Sequence, residues 1–118
     1  MNSCRKVLIV DDDALIRELF KAWFQRYSID ADTADNPEFG LELVTLNKYT
    51  IIIVDFSMPA MKGNELIKKI RMVDMRTKII GTSAQHWVGD LFYKAGADYF
   101  VKKPVDFGEL AGIIDKVL

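Results

Sequence analysis

The segment TIIIVDFSMP, residues 50–59, runs four aliphatic residues (Ile51 to Val54) directly into a carboxylate, Asp55, and then into a Ser-Met-Pro turn. Four aliphatic residues without polar alternation describe a strand buried on both faces, the state of a parallel strand between two layers of helices. A charge at the end of such a strand is costly unless it is paired, bound to a metal, or placed at the sheet edge for chemistry. The rest of the chain has to supply the reason for Asp55.

Working outward, Lys6 to Val10 (KVLIV) is a second aliphatic strand, and it ends in Asp11, Asp12 and Asp13. From Ala14 the period changes, with Ile16, Leu19, Phe20, Trp23 and Phe24 at helical spacing. Asp30 to Ala34 is a short mixed strand. Asn36-Pro37-Glu38 opens a helix with a capping Asn, a Pro in the first turn and an acid near the positive end. After Ser57 to Gly63, a loop, a helix carries Leu66, Ile67 and Ile70. Lys78 to Thr82 is a strand, Val88 to Lys94 a short helix closed by Ala95-Gly96-Ala97, and Tyr99 to Val101 the last strand. Asp106 and Glu109 have capping-box spacing before a helix bearing Leu110, Ala111, Ile114 and Val117.

Five strand–helix units in strict alternation predict a doubly wound α/β domain over residues 1–118, with a mainly parallel sheet and helices on both faces. Half of the residues are hydrophobic, which excludes a disordered chain. Sixteen basic against seventeen acidic residues leave a net charge of −1, so no electrostatic footprint for nucleic acid or a membrane surface is expected. Cys4 is the sole cysteine, which excludes an internal disulfide and a cysteine zinc site; it is expected to be an inert thiol. No signal-like stretch precedes the first strand, and nothing approaches the roughly 18 apolar residues of a membrane span. A cytoplasmic location is expected.

In open α/β sheets ligands bind beyond the carboxyl ends of the strands. Those ends carry Asp11-Asp12, Ala34-Asp35, Asp55, Ser83-Ala84 and Lys103-Pro104. Each has an ordinary explanation by itself: Asp runs cap helices, Ser-Ala makes turns, Lys-Pro is common in loops. Together they are an unusual set. Carboxylates held close together repel, and a hard divalent cation such as Mg²⁺ is the usual remedy. A lysine opposite the metal then surrounds Asp55 with positive charge, an arrangement suited to a phosphoryl group on that carboxylate.

These residues also carry a resemblance. VDDD at 10–13, VDFSMPAMKG at 54–63, TSA at 82–84 and AGADYFVKKP at 95–104 resemble the receiver domain of two-component response regulators, over essentially the whole chain. The resemblance implies a flavodoxin-like sheet in the order 2-1-3-4-5 and phosphorylation by the phosphohistidine of a sensor histidine kinase or a phosphotransfer protein. It makes Asp55 the phosphoacceptor, with Mg²⁺ held by Asp12 and Asp55, by Asp11 through water, and by the backbone carbonyl of Ser57. It makes Ser83 and Lys103 the phosphoryl-binding hydroxyl and ammonium, with a cis bond between Lys103 and Pro104. Phe100 falls on the aromatic switch position that follows Ser83 inward, changing the surface of the fourth helix, last strand and fifth helix. Ser57 and Gln85 occupy variable positions that help set the lifetime of the acyl phosphate.

Three departures stand out. Lys62 replaces a common acidic residue, the stretch from Ser83 to Ala95 is about two residues short with Gly89 weakening its helix, and the chain stops at Leu118 with no effector domain. A stand-alone regulator would act on a downstream protein partner; a fragment would control a missing effector domain. His86 is read as solvated and Trp87 as a packing or partner contact. Two other classes compete with this reading. Asp11-x-Asp13 fits the motif of haloacid dehalogenase-like phosphatases, with Asp11 as nucleophile, although Ala14 follows where those enzymes carry Thr or Val. An FMN-binding flavodoxin would place phosphate against three aspartates, which repel it.

Overall fold

Short aliphatic runs separated by capped amphipathic segments pair into one sheet. The computed structural model describes residues 6–118, so the reading of Cys4 lies outside the described residues. The strands are β1 (Lys6–Val10), β2 (Asp30–Ala34), β3 (Ile51–Asp55), β4 (Lys78–Ser83) and β5 (Tyr99–Lys102). The helices are α1 (Ala14–Gln25), α2 (Pro37–Leu46), α3 (Gly63–Val73), α4 (Gly89–Ala95) and α5 (Phe107–Val117). All pairings are parallel in the order β2-β1-β3-β4-β5, as the resemblance implies.

Alternation along the central strands sorts their side chains into two cores. Leu8, Val10, Ile52, Val54 and Ile79 face α2, α3 and α4, where they meet Val44, Leu66, Ile67, Ile70 and Phe92. Val7, Ile9, Ile51, Ile53 and Ile80 face α1 and α5, where they meet Phe20, Phe24, Leu110, Ile113 and Ile114. Each such side chain withdrawn from water contributes on the order of 1.5–3 kcal/mol relative to an exposed one. β1 and β3 are covered on both sides, which explains why Val7 to Val10 and Ile51 to Val54 are unbroken by polar residues before Asp11 and Asp55.

The caps form where the sequence places them. Asp13 accepts hydrogen bonds from the N–H groups of Leu15 and Ile16, Asn36 from Phe39, and Asp106 from Gly108 and Glu109. Gly96 closes α4 at φ +115°, a conformation glycine adopts without a Cβ clash.

Strands β3, β4 and β5 each run one residue further than the hydrophobic pattern alone indicates. The ladder continues past the last apolar side chain: Phe56 N–H donates to Thr82 O at 2.9 Å, and Lys103 N–H to Ser83 O at 2.8 Å. The site residues are therefore anchored by rigid strand backbone. The fourth helix also differs from expectation. Residues His86–Val88 form a 3₁₀ turn and α4 begins at Gly89, so the glycine opens the helix rather than interrupting it. A Cβ there would lie 3.2 Å from Cδ2 of Phe100, so the absence of a side chain gives that ring its seat.

A tighter approach occurs on β4. A Cβ at Gly81 would lie 2.5–2.6 Å from the Phe92 ring, which is fully buried. Gly81→Ala is expected to cost about 1–3 kcal/mol through overpacking. Urea denaturation should show this loss, with Phe92→Leu in the same chain recovering part of it.

Candidate functional site

The three aspartates that follow β1 have three different fates. Asp11 is buried, with Oδ1 accepting the Asp13 N–H at 2.9 Å; Asp12 is exposed; Asp13 caps α1. The Asp11 carbonyl accepts from Arg17 Nη1 at 2.8 Å, so a helix residue not singled out from sequence ties down the β1–α1 turn. A polar side chain one turn into a helix that follows an Asp-rich strand end was the available signal.

Asp55 ends β3, one strand over from Asp11, and is also buried. The carboxylates of Asp11, Asp12 and Asp55 offer oxygens that all lie within 4.8 Å of one another. A donor set made only of carboxylate oxygens fits a hard cation such as Mg²⁺ and is unsuited to soft metals. Gly63 lets α3 start against this strand end: its N–H donates to Phe56 O at 3.0 Å, and any Cβ there would collide with the Asp55 backbone.

Lys103 enters from the far side of β4. Its Nζ lies 2.8 Å from Asp55 Oδ1 and 2.9 Å from Asp11 Oδ2, and the Lys103-Pro104 bond is cis. Ser83 is buried at the end of β4, and its Oγ accepts the Gln85 N–H at 3.0 Å. That bond uses an acceptor lone pair and leaves the hydroxyl hydrogen available for an anionic oxygen. Ser57 is exposed just beyond Asp55. Phe100 is half-buried, packed between Gly89 and Phe92, with its ring 5.8 Å from that of Phe92.

Phe56, which directly follows Asp55, was not singled out from sequence. It stacks edge-on against Phe92 at 5.8 Å and against Trp87 at 6.1 Å, and Lys62 Nζ lies 5.6 Å over its ring. A chain of aromatic contacts thus runs from the neighbour of Asp55 through Phe92 to Phe100. Lys62, anticipated only as a change of local charge, covers the start of that chain. His86 is exposed, as expected, and Trp87 is exposed with one edge-on contact to Phe56.

The hydrolase alternative does not fit this geometry. Both Asp11 oxygens are engaged, one by a backbone N–H and one by Lys103, so Asp11 is poorly placed as a nucleophile.

Burial pushes the Asp55 carboxyl above the usual carboxylate range; the Lys103 hydrogen bond opposes this, and the charges of Asp11 and Asp12 add to it. Burial pulls Lys103 down, but its hydrogen bonds to Asp55 and Asp11 more than offset that and leave it raised. For a carboxyl raised on folding, the native state binds more protons than the unfolded chain above about pH 4, so stability falls as pH climbs toward the native pKa. In chelator, Asp55→Asn should therefore be more stable than wild type, by a margin that widens from pH 4 towards neutrality. Urea midpoints across that range measure it, and added Mg²⁺ should narrow the gap.

Comparison with known proteins gives the same architecture and sequence pattern. Residues 7–115 match the family model described as the response regulator receiver domain. Among curated proteins, the chain is 32% identical over 121 residues to hybrid signal transduction histidine kinase F of Dictyostelium discoideum, covering 96% of this chain and 11% of that protein. It is 29% identical to the cell cycle response regulator CtrA of Brucella ovis, covering 96% of this chain and 50% of that one. The chain thus spans half or less of these relatives. Among solved structures, response regulator TrrA of Thermotoga maritima in complex with Mg²⁺–BeF is 33% identical, with a TM-score of 0.89 and coverage of 97% of this chain and 99% of TrrA. A structure of histidine kinase ThkA in complex with TrrA gives 36% identity, a TM-score of 0.86 and coverage of 97% and 98%. With the aspartate cluster, the strand order and the family model all in agreement, this chain belongs to the response regulator receiver domain family.

Proposed function

We propose that residues 1–118 act as one phosphoacceptor unit in which Asp55 takes a phosphoryl group from a phosphohistidine on a sensor histidine kinase or phosphotransfer protein. The observation that carries this reading is the Lys103 ammonium held between two buried carboxylates, Asp55 at 2.8 Å and Asp11 at 2.9 Å. An Asp55 oxygen attacks phosphorus, the P–N bond breaks as the P–O bond forms, and the imidazole nitrogen leaves with the bonding pair and is protonated. Lys103 exchanges a carboxylate oxygen of Asp55 for a phosphoryl oxygen without leaving the site, and the Ser83 hydroxyl donates to another. Asp11, Asp12, Asp55 and the Ser57 carbonyl would hold Mg²⁺, which supplies the positive charge needed to gather three carboxylates and a phosphoryl group in one place.

The two TrrA structures support this chemistry, one by its Mg²⁺–BeF group and the other by its histidine kinase partner. Self-phosphorylation and autodephosphorylation are the only covalent steps assigned to the chain, which is a signalling unit and not a turnover enzyme. Output follows from the aromatic contacts: Ser83 moves toward the phosphoryl group, Phe100 follows, and the surface of α4, β5 and α5 shifts to favour a downstream protein partner or an effector domain. No described helix is long and apolar enough to cross a membrane. The near-neutral charge balance gives no footprint for nucleic acid, and a cytoplasmic location fits this reading.

Incubation with acetyl phosphate and Mg²⁺, read by intact mass, should add one phosphoryl group to the wild-type chain. Asp55→Asn should abolish that label, and omission of Mg²⁺ should reduce it to background. Lys103→Ala should slow labelling by at least about tenfold, since an ion pair to a phosphoryl oxygen is worth about 1.5–3 kcal/mol. A label that survives Asp55→Asn and is lost in Asp11→Asn would overturn the assignment.

A further inference from the structure

Thr82 stands level with Asp55 in the β3–β4 register, is 1% exposed, and its Oγ1 has no hydrogen-bond partner among the described residues. Alternation along β4 puts Thr82 on the same face as Ile80, and Asp55 shares that face with Ile51 and Ile53. Valine would fill the same volume with no polar atom. A buried hydroxyl without a partner costs free energy, so its presence calls for a partner in another state of the site.

The path of Lys103 identifies that partner. Its backbone N–H is bound to Ser83 O, alongside β4, yet its Nζ reaches Asp55 on β3. Since β4 lies between β3 and β5, the lysine side chain must cross β4, and Thr82 is the β4 residue level with Asp55 on that face. An ammonium has three N–H donors. Two are directed at Asp55 Oδ1 and Asp11 Oδ2. The two charged acceptors set the orientation of the ammonium, and its third N–H does not reach Thr82 in this state.

We infer that Thr82 is a positioning residue of the phosphoryl site: its hydroxyl oxygen accepts a hydrogen bond from the Lys103 ammonium once Asp11 and Asp55 turn to metal and phosphoryl group. The bond holds the lysine over Asp55 in the state that has lost its carboxylate partners. This rests on the reading of Asp55 as phosphoacceptor. The Thr82 hydroxyl touches neither phosphorus nor metal; it acts through Lys103.

The test compares the full chain with Thr82→Val and Thr82→Ser in two measurements. The first is the melting temperature in chelator, and its rise on adding Mg²⁺ with beryllium fluoride, the group held in the TrrA structure. Thr82→Val should melt no lower than wild type in chelator, since it loses an unpartnered hydroxyl, yet gain less from Mg²⁺–beryllium fluoride. The second is the initial rate of Asp55 labelling by acetyl phosphate. Thr82→Val should be slower by about three- to tenfold, the factor that one net hydrogen bond is worth, and Thr82→Ser should recover most of the rate. Equal labelling rates and equal thermal gains in all three chains would overturn the inference and leave the role of Asp55 standing. A serine variant as slow as valine would also overturn it, because shape rather than the hydroxyl would then matter. No labelling of wild type would remove the reading on which it rests.

Discussion

Two carboxylates, Asp11 and Asp55, are buried at the ends of apolar strands, and the ammonium of Lys103 lies within 2.9 Å of each. Burial and the neighbouring carboxylates penalise the charge on Asp55, and the Lys103 hydrogen bond opposes that penalty. The lysine makes the cluster tolerable and keeps it incomplete, since three carboxylates face one cation. Such a site favours additional positive charge and favours an acceptor oxygen for the lysine. Its function follows from that imbalance. A neutral network of the same size would be more stable and would have no drive to bind metal or phosphoryl oxygen.

The sheet order makes this arrangement possible. β1 and β3 are adjacent, so Asp11 and Asp55 meet; β5 is two strands from β3, a distance that a lysine side chain can span and a shorter side chain cannot. Each site residue lies on or directly beyond strand backbone whose ladder hydrogen bonds continue to the edge of the site. The groups are therefore held in place before any ligand arrives, which is what charge stabilisation requires.

On the opposite face, the same strand ends connect to α4. Phe56 follows Asp55, meets Phe92, and Phe92 meets Phe100, while Gly81 and Gly89 leave room for two of these rings. A packed aromatic row has few alternative arrangements, so a displacement of one ring is passed to the next as a discrete change rather than absorbed. The short stretch before α4 is accommodated by a 3₁₀ turn, and Gly89, which reads as a helix breaker, serves as the floor for Phe100.

Much of this was legible in the chain itself. Aliphatic runs such as Ile51 to Val54, the caps Asp13, Asn36 and Asp106, and polar residues at successive strand ends are local signals, set by backbone geometry and burial, and they specify the α/β alternation and the candidate residues. Proximity is not local. That Lys103 bridges Asp11 and Asp55, that Arg17 holds the Asp11 carbonyl, and that Thr82 lies level with Asp55 all depend on strand register and order, which bring together residues up to 92 positions apart. Asp11, Asp12 and Asp13 are chemically identical in sequence, and tertiary packing alone made one a buried partner of lysine, one an exposed ligand candidate and one a helix cap. The sequence determined which groups were available. The fold decided their burial and their neighbours, because only packing sets the local dielectric and the distances on which charge interactions depend.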